Sequence, residues 1–581
     1  MRSVKQRSRK RKVDDFSGRR YFVLFLMLLA MLVLIARAVY LQIFDTQFLQ
    51  RQAQSRYVST VKIPAYRGQI LDRHGVGLAV SAPVDTLWVD PFYCQSKRPK
   101  QAQACLTLVS EKKIRQVADI LELPVAKVKS AFSRSTGKHF VYLKRRVEPT
   151  LAAKVMALGL PGVALIKEFK RFYPAGEVTA HLLGFTNIDD QGQEGLELMY
   201  NASLEGKTGS KRVIRDGARR VIEDIESIKS AEPGQDLVLS IDERLQYLAY
   251  RELKAGVLKH KAEAASLVIL EAKTGNILAV VNQPAFNPNK RKGLHVSRYK
   301  NRAIISTFEP GSTLKPFVVA AALEGGFIDA GQLFSTHDFR IKGRWVKDGH
   351  RYGTLNLTDV LKKSSNVAAS KIALAMPPEY FWRFYHALGF GVSAGVGFPG
   401  EATGSLPEYD SWSLFEQATL SFGYRVSMST LQLARAYTAL ADDGVLHSVS
   451  LLQRETDPYA TRVLSIETAQ KVRTMIEQVV QKDGTAYRAR VSGYRVAGKT
   501  GTVKKAVDGG YSDDYLSVFV GMAPASDPKL IIAVMVDAPQ AGQYYGGLVA
   551  APIFAKVMGG ALRLQGITPD AIQDTATLLV N

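Results

Sequence analysis

A serine hydroxyl and a lysine amine stand three residues apart in Glu309-Pro310-Gly311-Ser312-Thr313-Leu314-Lys315-Pro316-Phe317. A serine is a weak nucleophile near neutral pH, and a neighbouring amine held unprotonated can take its proton. Gly311 breaks the chain before the pair. The apolar run Val318-Val319-Ala320-Ala321-Ala322-Leu323 after it reads as a helix. Pro316 fits the first turn of such a helix, where a missing N–H costs little. Positions i and i+3 share a helix face, so the spacing predicts that Ser312 and Lys315 can meet. The free N–H groups of the helix N-terminus suit a developing oxyanion.

Ser-x-x-Lys alone is common, recurring at Ser59, Ser110, Ser135, Ser297 and Ser526. What separates Ser312 is the order of the pieces that follow it. Ser364-Ser365-Asn366 lies in a helical region downstream. Lys-Thr-Gly occurs at Lys207, Lys273 and Lys499, and only Lys499 follows Ser312, in Lys499-Thr500-Gly501-Thr502. It stands at the end of an expected strand over residues 494–497, with further strands over 516–521 and 530–536. Three competing motifs lack their contexts. The literal P-loop match over residues 493–500 has no helix after it, since residues 504–514 are polar and aperiodic. The Gly391-Val392-Ser393-Ala394-Gly395 match to a nucleophile elbow, and the overlapping Gly395-to-Gly400 dinucleotide pattern, sit in a glycine-rich loop rather than a strand-turn-helix.

The elements that must hold these residues follow from periodicity. Residues 265–270 and 276–281 read as a hairpin, residues 236–242 as a strand and 243–259 as a helix. Residues 356–388 and 430–443 are largely helical, and a closing helix runs over 551–564. Strands, then helices, then strands and a helix suggest a sheet layered against a helical subdomain, with a cleft between them. Upstream, residues 46–232 mix short strands with helices such as 111–132, and carry no pattern that suggests chemistry. The domain boundary falls near Pro233-Gly234.

The chain has 581 residues, 46% hydrophobic and 22% charged, with net charge +24. Nine Lys or Arg against two Asp give the first 20 residues a net +7, and the other +17 is spread over 561 residues. A solvated basic surface suits that distribution better than a nucleic-acid groove, and would suit anionic lipid or cell-wall polymer. Residues 21–36 are unbroken apolar chain, and 38–44 continue it past Arg37, 24 residues in all and enough to span a bilayer. The basic tail before it directs the N-terminus to the cytoplasm. Ala36-Arg37-Ala38 also matches a signal-peptide cleavage site, but the apolar region is long and continues past the cut, which favours a retained anchor. Everything after Phe44 is then extracytoplasmic. The two cysteines, Cys94 and Cys105, are too few for a disulfide scaffold, though in an oxidising compartment they could close a short loop.

The ordered set Ser312-x-x-Lys315, Ser364-x-Asn366 and Lys499-Thr500-Gly501 resembles that of the serine β-lactamases and penicillin-binding proteins. Arg67-Gly68-Gln69-Ile70-Leu71-Asp72-Arg73-His74-Gly75, Arg171-Phe172-Tyr173-Pro174-Ala175-Gly176 and Gly192-Gln193-Glu194-Gly195-Leu196-Glu197 resemble the pedestal motifs of class B penicillin-binding proteins. Residues 80–84, 421–424, 540–547 and 551–554 resemble the division-specific, FtsI-type branch. The resemblance covers about residues 21–570 and implies an α/β (α+β) chain. Its parts would be a basic tail (1–20), a transmembrane anchor (21–44), an elongated pedestal (45–234), a penicillin-binding transpeptidase domain (235–570) and a C-terminal tail (571–581).

The implied activity is septal peptidoglycan D,D-transpeptidation, with β-lactams as inhibitors and no metal or organic cofactor. Ser312 would be the nucleophile and Lys315 its general base. Ser364 would bridge Lys315 and Lys499 and relay a proton to the leaving amine, and Asn366 would orient the donor amide. Lys499, Thr500, Gly501 and Thr502 would bind the terminal carboxylate. The backbone N–H groups of Ser312 and Thr502 would form the oxyanion hole. Implied partners are stem peptides, the membrane and division proteins including a lipid-II glycosyltransferase of the FtsW type, with residence in the inner membrane at the septum. An elongation-specific transpeptidase, a β-lactamase, a β-lactam sensor and a non-catalytic division scaffold are the alternatives. No Glu-x-x-Leu-Asn segment of the class A hydrolases follows Ser364.

Overall fold

The computed structural model describes residues 17–93, 108–133, 140–215, 221–293, 295–507 and 509–571. Cys94 and Cys105, and the loop they could close, lie outside these residues. The chain enters on helix α1 (Ser17–Val39), which buries none of its residues. The segment Ser17–Phe44 has a mean hydropathy of 2.8 and is long and apolar enough to cross a membrane. Arg37, the one charge near its C-terminal end, lies 5.4 Å from the Tyr40 ring.

The region after the anchor is built on the long strand Gly77–Val89. It pairs antiparallel with Val163–Phe172, Val141–Val147 and Ile70–Leu71. Leu87, Val89, Ile114, Val117, Leu121, Val128 and Leu143 close a small core of their own there. The helix expected over 111–132 is two, Glu111–Leu121 and Val125–Ala131. Glu122 turns the chain into the left-handed region (φ 52) and Pro124 brings no N–H to continue the ladder.

The three pedestal motifs, far apart in sequence, meet on one carboxylate. Arg67 Nε donates to Glu197 Oε2 at 2.8 Å and Arg171 Nε to Glu197 Oε1 at 2.6 Å, with all three side chains buried. Spare guanidinium donors go to Asn201 Oδ1 and to the carbonyls of Asp190, Glu197 and Gly68, while Arg171 Nη2 is buried without a partner. Buried charge of this kind must be paired and hydrogen-bonded, which explains two arginines and a glutamate at separated positions.

The second region is a five-stranded antiparallel sheet of β1 (Ala264–Glu271), β2 (Ile277–Gln283), β3 (Ala497–Val507), β4 (Gly510–Ala523) and β5 (Leu530–Asp537), in the order β2-β1-β5-β4-β3. Strands β1, β2 and β5 are buried almost throughout, so they read as continuous apolar runs rather than alternation. Helix α2 (Glu243–His260) lies against β2. Helix α3 (Lys315–Glu324) is apolar on all sides and buries eight of its ten residues. Helices α4 (Leu357–Lys363) and α5 (Asn366–Leu374) belong to the helical subdomain, and α6 (Gly546–Leu564) returns to β4 and β5. Helix α6 is also long and apolar enough for a membrane, but 56% of its apolar window is buried, which makes it a core helix.

Two expected elements differ. The strand expected over 236–242 shrinks to Leu237–Val238, because beyond it the backbone of Ser240 bonds to Leu451 and that of Asp242 to Leu278. The strand expected over 494–497 instead begins at Ala497, so Lys499 stands near the start of an eleven-residue strand, not the end of a short one.

Candidate active site

Ser312 sits in the tight turn Gly311–Leu314 that leads into α3. Gly311 has φ 61, and a Cβ there would lie 2.4 Å from Val503 Cγ1. A Cβ on Gly501 would lie 2.7 Å from the Pro310 carbonyl oxygen. Both glycines are therefore required for β3 to lie against the serine turn. Tyr437 Oη donates to the Thr313 carbonyl at 2.7 Å and fixes the turn from below.

Lys315 and Lys499 are both 0% exposed. Lys315 Nζ bonds the Ser364 carbonyl at 2.5 Å, Asn366 Oδ1 at 2.7 Å and Ser364 Oγ at 3.1 Å. Lys499 Nζ reaches the same Ser364 Oγ at 2.9 Å and the Thr500 carbonyl at 3.2 Å. The Ser364 hydroxyl thus bridges two lysines. Neither has an ion pair with a carboxylate among the described residues. Burial pushes the Lys315 ammonium well below the usual lysine range, and the Lys499 charge pushes it further, against a weaker upward pull from Asp348. Burial alone brings Lys499 down to about 7.

Lys315 Nζ thus makes its two shortest contacts to carbonyl oxygens, with Ser364 Oγ the longer third. Among the described residues none is hydrogen-bonded to the Ser312 hydroxyl. The i, i+3 spacing therefore does not join Ser312 to Lys315, whose amine is engaged by Ser364 and Asn366. Catalytic hydrogen bonds in unliganded sites commonly form only when substrate arrives.

Ser364 and Asn366 are set by a helix-to-helix junction. Helix α4 ends on Ser364 in the left-handed conformation (φ 62), a costly choice for a non-glycine residue. Ser365 then caps α5, its Oγ accepting from Ala368 N at 3.0 Å, and Asn366 opens the helix. Asp348, which the motifs do not include, holds this junction. Its carboxylate accepts from Ser365 Oγ and Asn366 N, both at 2.5 Å, and from Val367 N at 3.1 Å. It lies in Arg344-Trp345-Val346-Lys347-Asp348-Gly349-His350, a stretch with no periodic signal.

On β3 the side chains alternate. Gly501 faces the serine turn, and Thr500 and Thr502 face the N-terminus of α6. Thr502 Oγ1 accepts from Gly546 N at 2.9 Å, which leaves its own proton free to donate. Thr500 Oγ1 donates to Thr485 Oγ1 at 3.1 Å. Thr485 joins Asp348 as a supporting residue outside the motifs, and Gly546 belongs to the 540–547 motif.

The geometry has a counterpart among known proteins. Residues 265–559 match the family described as penicillin binding protein transpeptidase domain, and residues 62–239 match the penicillin-binding protein dimerisation domain. The chain belongs to the class B penicillin-binding proteins. It is 40% identical to a probable peptidoglycan D,D-transpeptidase, PenA, of Neisseria meningitidis, over 98% of this chain and 96% of the relative. It is 40% identical to the peptidoglycan D,D-transpeptidase FtsI of Escherichia coli, over 94% of this chain and 91% of the relative. Among solved structures, the apo transpeptidase domain of Burkholderia pseudomallei penicillin-binding protein 3 superposes with a TM-score of 0.53 at 42% identity, covering 57% of this chain and 97% of that one. Within this penicillin-binding protein, the described residues contain no cluster of His, Cys, Asp or Glu able to hold a metal ion.

Proposed function

We propose that this protein is a peptidoglycan D,D-transpeptidase of cell division that cross-links stem peptides through an acyl-serine and is the target of β-lactams. The observation that carries the reading is the Ser364 hydroxyl held between two buried, unneutralised lysines next to Ser312. Ser312 Oγ attacks the carbonyl of the penultimate D-alanine, and an O–C bond forms as the C–N bond to terminal D-alanine breaks. Lys315 takes the Ser312 proton, and Ser364 passes a proton on toward the leaving amine, with Lys499 keeping the network charged. Asn366 orients the donor amide. Lys499 with the Thr500 and Thr502 hydroxyls, along Gly501, receives the terminal carboxylate, and the N–H groups of Ser312 and Thr502 receive the oxyanion. In the second half-reaction an amine of a neighbouring stem attacks the ester, an N–C bond forms as the Ser312 Oγ–C bond breaks, and the amine's proton returns to Ser312 Oγ.

In this reading residues 45–234 form the pedestal and 235–570 the catalytic domain. The N-terminus lies in the cytoplasm and the catalytic domain outside the inner membrane, at the septum. The membrane partner is a lipid-II glycosyltransferase of the FtsW type. The basic tail, the apolar helix and the likeness to FtsI support these assignments. The test is intact mass after treatment with a labelled β-lactam, followed by mapping of the modified peptide. Ser312→Ala is expected to abolish labelling with its melting temperature retained. Labelling that persists at another serine would overturn the assignment.

A further inference from the structure

A small hairpin precedes the Ser364 junction, Phe339–Ile341 paired with Arg344–Val346. Lys342 (φ 45) and Gly343 (φ 84) turn it, in the two left-handed positions that a tight hairpin needs. Side chains alternate across it. Phe339, Ile341 and Val346 pack with Val367 and Leu374 of α5 and with Phe415 and Ala418. Arg340, Lys342, Trp345 and Lys347 are exposed. The chain then runs straight into Asp348, which holds Ser365 and Asn366 in place. The inner face is thus fixed beside the catalytic site, and the outer face has no cover.

That outer face carries one sign of charge. Arg340, Lys342, Arg344, Lys347 and Arg351 are exposed, and among the described residues none is ion-paired with a carboxylate. The acids of residues 337–352 are Asp338 and Asp348, and the Asp348 carboxylate is turned to the backbone of α5. Trp345 is 47% exposed, and two cations gather on its ring, Arg340 at 4.2 Å and Lys347 at 4.9 Å from the centroid. Like charges held together cost energy that an arriving anion relieves.

The hairpin also indicates what carries the anion. Its two strands pair with each other and with no third strand, so both outer edges offer main-chain groups that an extended polypeptide can pair with residue by residue. The Trp345 ring is overlaid by cations and is not a bare platform for a sugar. Tryptophan and arginine are the residue types that anchor protein interfaces. The chain's own net charge of +24 disfavours a second copy as the occupant. We propose that the outer face and edge of the hairpin 339–346 dock an extended acidic segment of a partner protein.

The experiment uses the full chain in detergent and a fluorescein-labelled peptide of alternating Glu and Thr, about twelve residues long, enough to run the length of the hairpin. Alternation puts its carboxylates on one side. Binding is read by anisotropy, and labelling by a fluorescent penicillin reports that each variant is folded. Wild type is expected to bind saturably, and the double reversal Arg340→Glu with Lys347→Glu to weaken binding by about tenfold or more. The same reversal at Arg251 and Arg563, exposed on α2 and α6, is expected to change it by less than about twofold. No binding by wild type, or an equal loss from both double reversals, would overturn the proposal. Displacement of the peptide by phosphatidylglycerol vesicles or by uncross-linked peptidoglycan strands, themselves bound through Arg340 and Lys347 more tightly than the peptide, would assign the face to lipid or wall polymer and would also overturn it. If the double reversal is not labelled by penicillin, Arg340→Gln with Lys347→Gln takes its place, with an expected loss of about threefold.

Discussion

Two of the places where the described residues bury charge do so to opposite ends. In the pedestal, Arg67 and Arg171 converge on Glu197, with every side chain out of water and the cations bonded directly to the carboxylate. In the catalytic cleft, Lys315 and Lys499 are as deeply buried but share only a neutral hydroxyl. The first arrangement holds its charges fixed. In the second each lysine is pressed to give up its proton, and burial with no counter-ion in contact is what makes an ordinary lysine into a base. The catalytic domain thus stores an unfavourable electrostatic arrangement that the pedestal takes care to avoid, as functional sites commonly do.

Three substitutions break or sharpen this contrast, with effects of decreasing size. Glu197→Gln leaves two buried guanidinium groups without their carboxylate. It is expected to destabilise the pedestal by about 3–5 kcal/mol, read as a lowered melting temperature, with the β-lactam acylation constant of the surviving folded fraction unchanged. Lys499→Met is expected to act with the opposite sign. Its pKa is depressed in the folded chain, so between about 7 and the unfolded value near 10.4 the unfolded state binds the extra proton. Stability contributed by the wild-type lysine is therefore lowest at neutral pH and rises as pH rises. Removing it should stabilise the protein at neutral pH by about 1–3 kcal/mol, as replacement of buried charge by apolar side chains does, with the gain shrinking toward alkaline pH while acylation collapses. Asp348→Asn should be the mildest, about 1 kcal/mol, because the amide oxygen can still accept from Asn366 N and Val367 N. It removes the one negative charge that favours the Lys315 ammonium, so the acid limb of the acylation profile should move to lower pH. A purely structural role for Asp348 would not move that limb.

Much of the cleft was legible in the chain. Ser312 and Lys315 stand out because a glycine turn and an apolar helix frame them, and Ser364, Asn366 and Lys499 follow in a fixed order. The junction that aims Ser364 was not legible. It depends on a left-handed non-glycine residue between two helices, and on Asp348, a lone acid among Lys, Gly and His. The start of β3 was misplaced because an edge strand paired on one side carries a polar sequence, Lys499 to Lys505, while the apolar stretch before it looks more like a strand. The pedestal motifs carry no sequence pattern that announces a buried cluster, since charged residues belong by default to the surface. Only the fold brings Arg67, Arg171 and Glu197 together, 130 residues apart in the widest pair.

The most direct test of the central claim is the pH dependence of Ser312 acylation by a labelled β-lactam, followed from about pH 5 to about pH 10. Two lysines that share a hydroxyl without a counter-ion titrate as a pair. One must be neutral to act as base and the other charged to meet the carboxylate, so a bell with its maximum near neutrality is expected. A rate that keeps climbing toward pH 10, as unperturbed lysines would give, would contradict it.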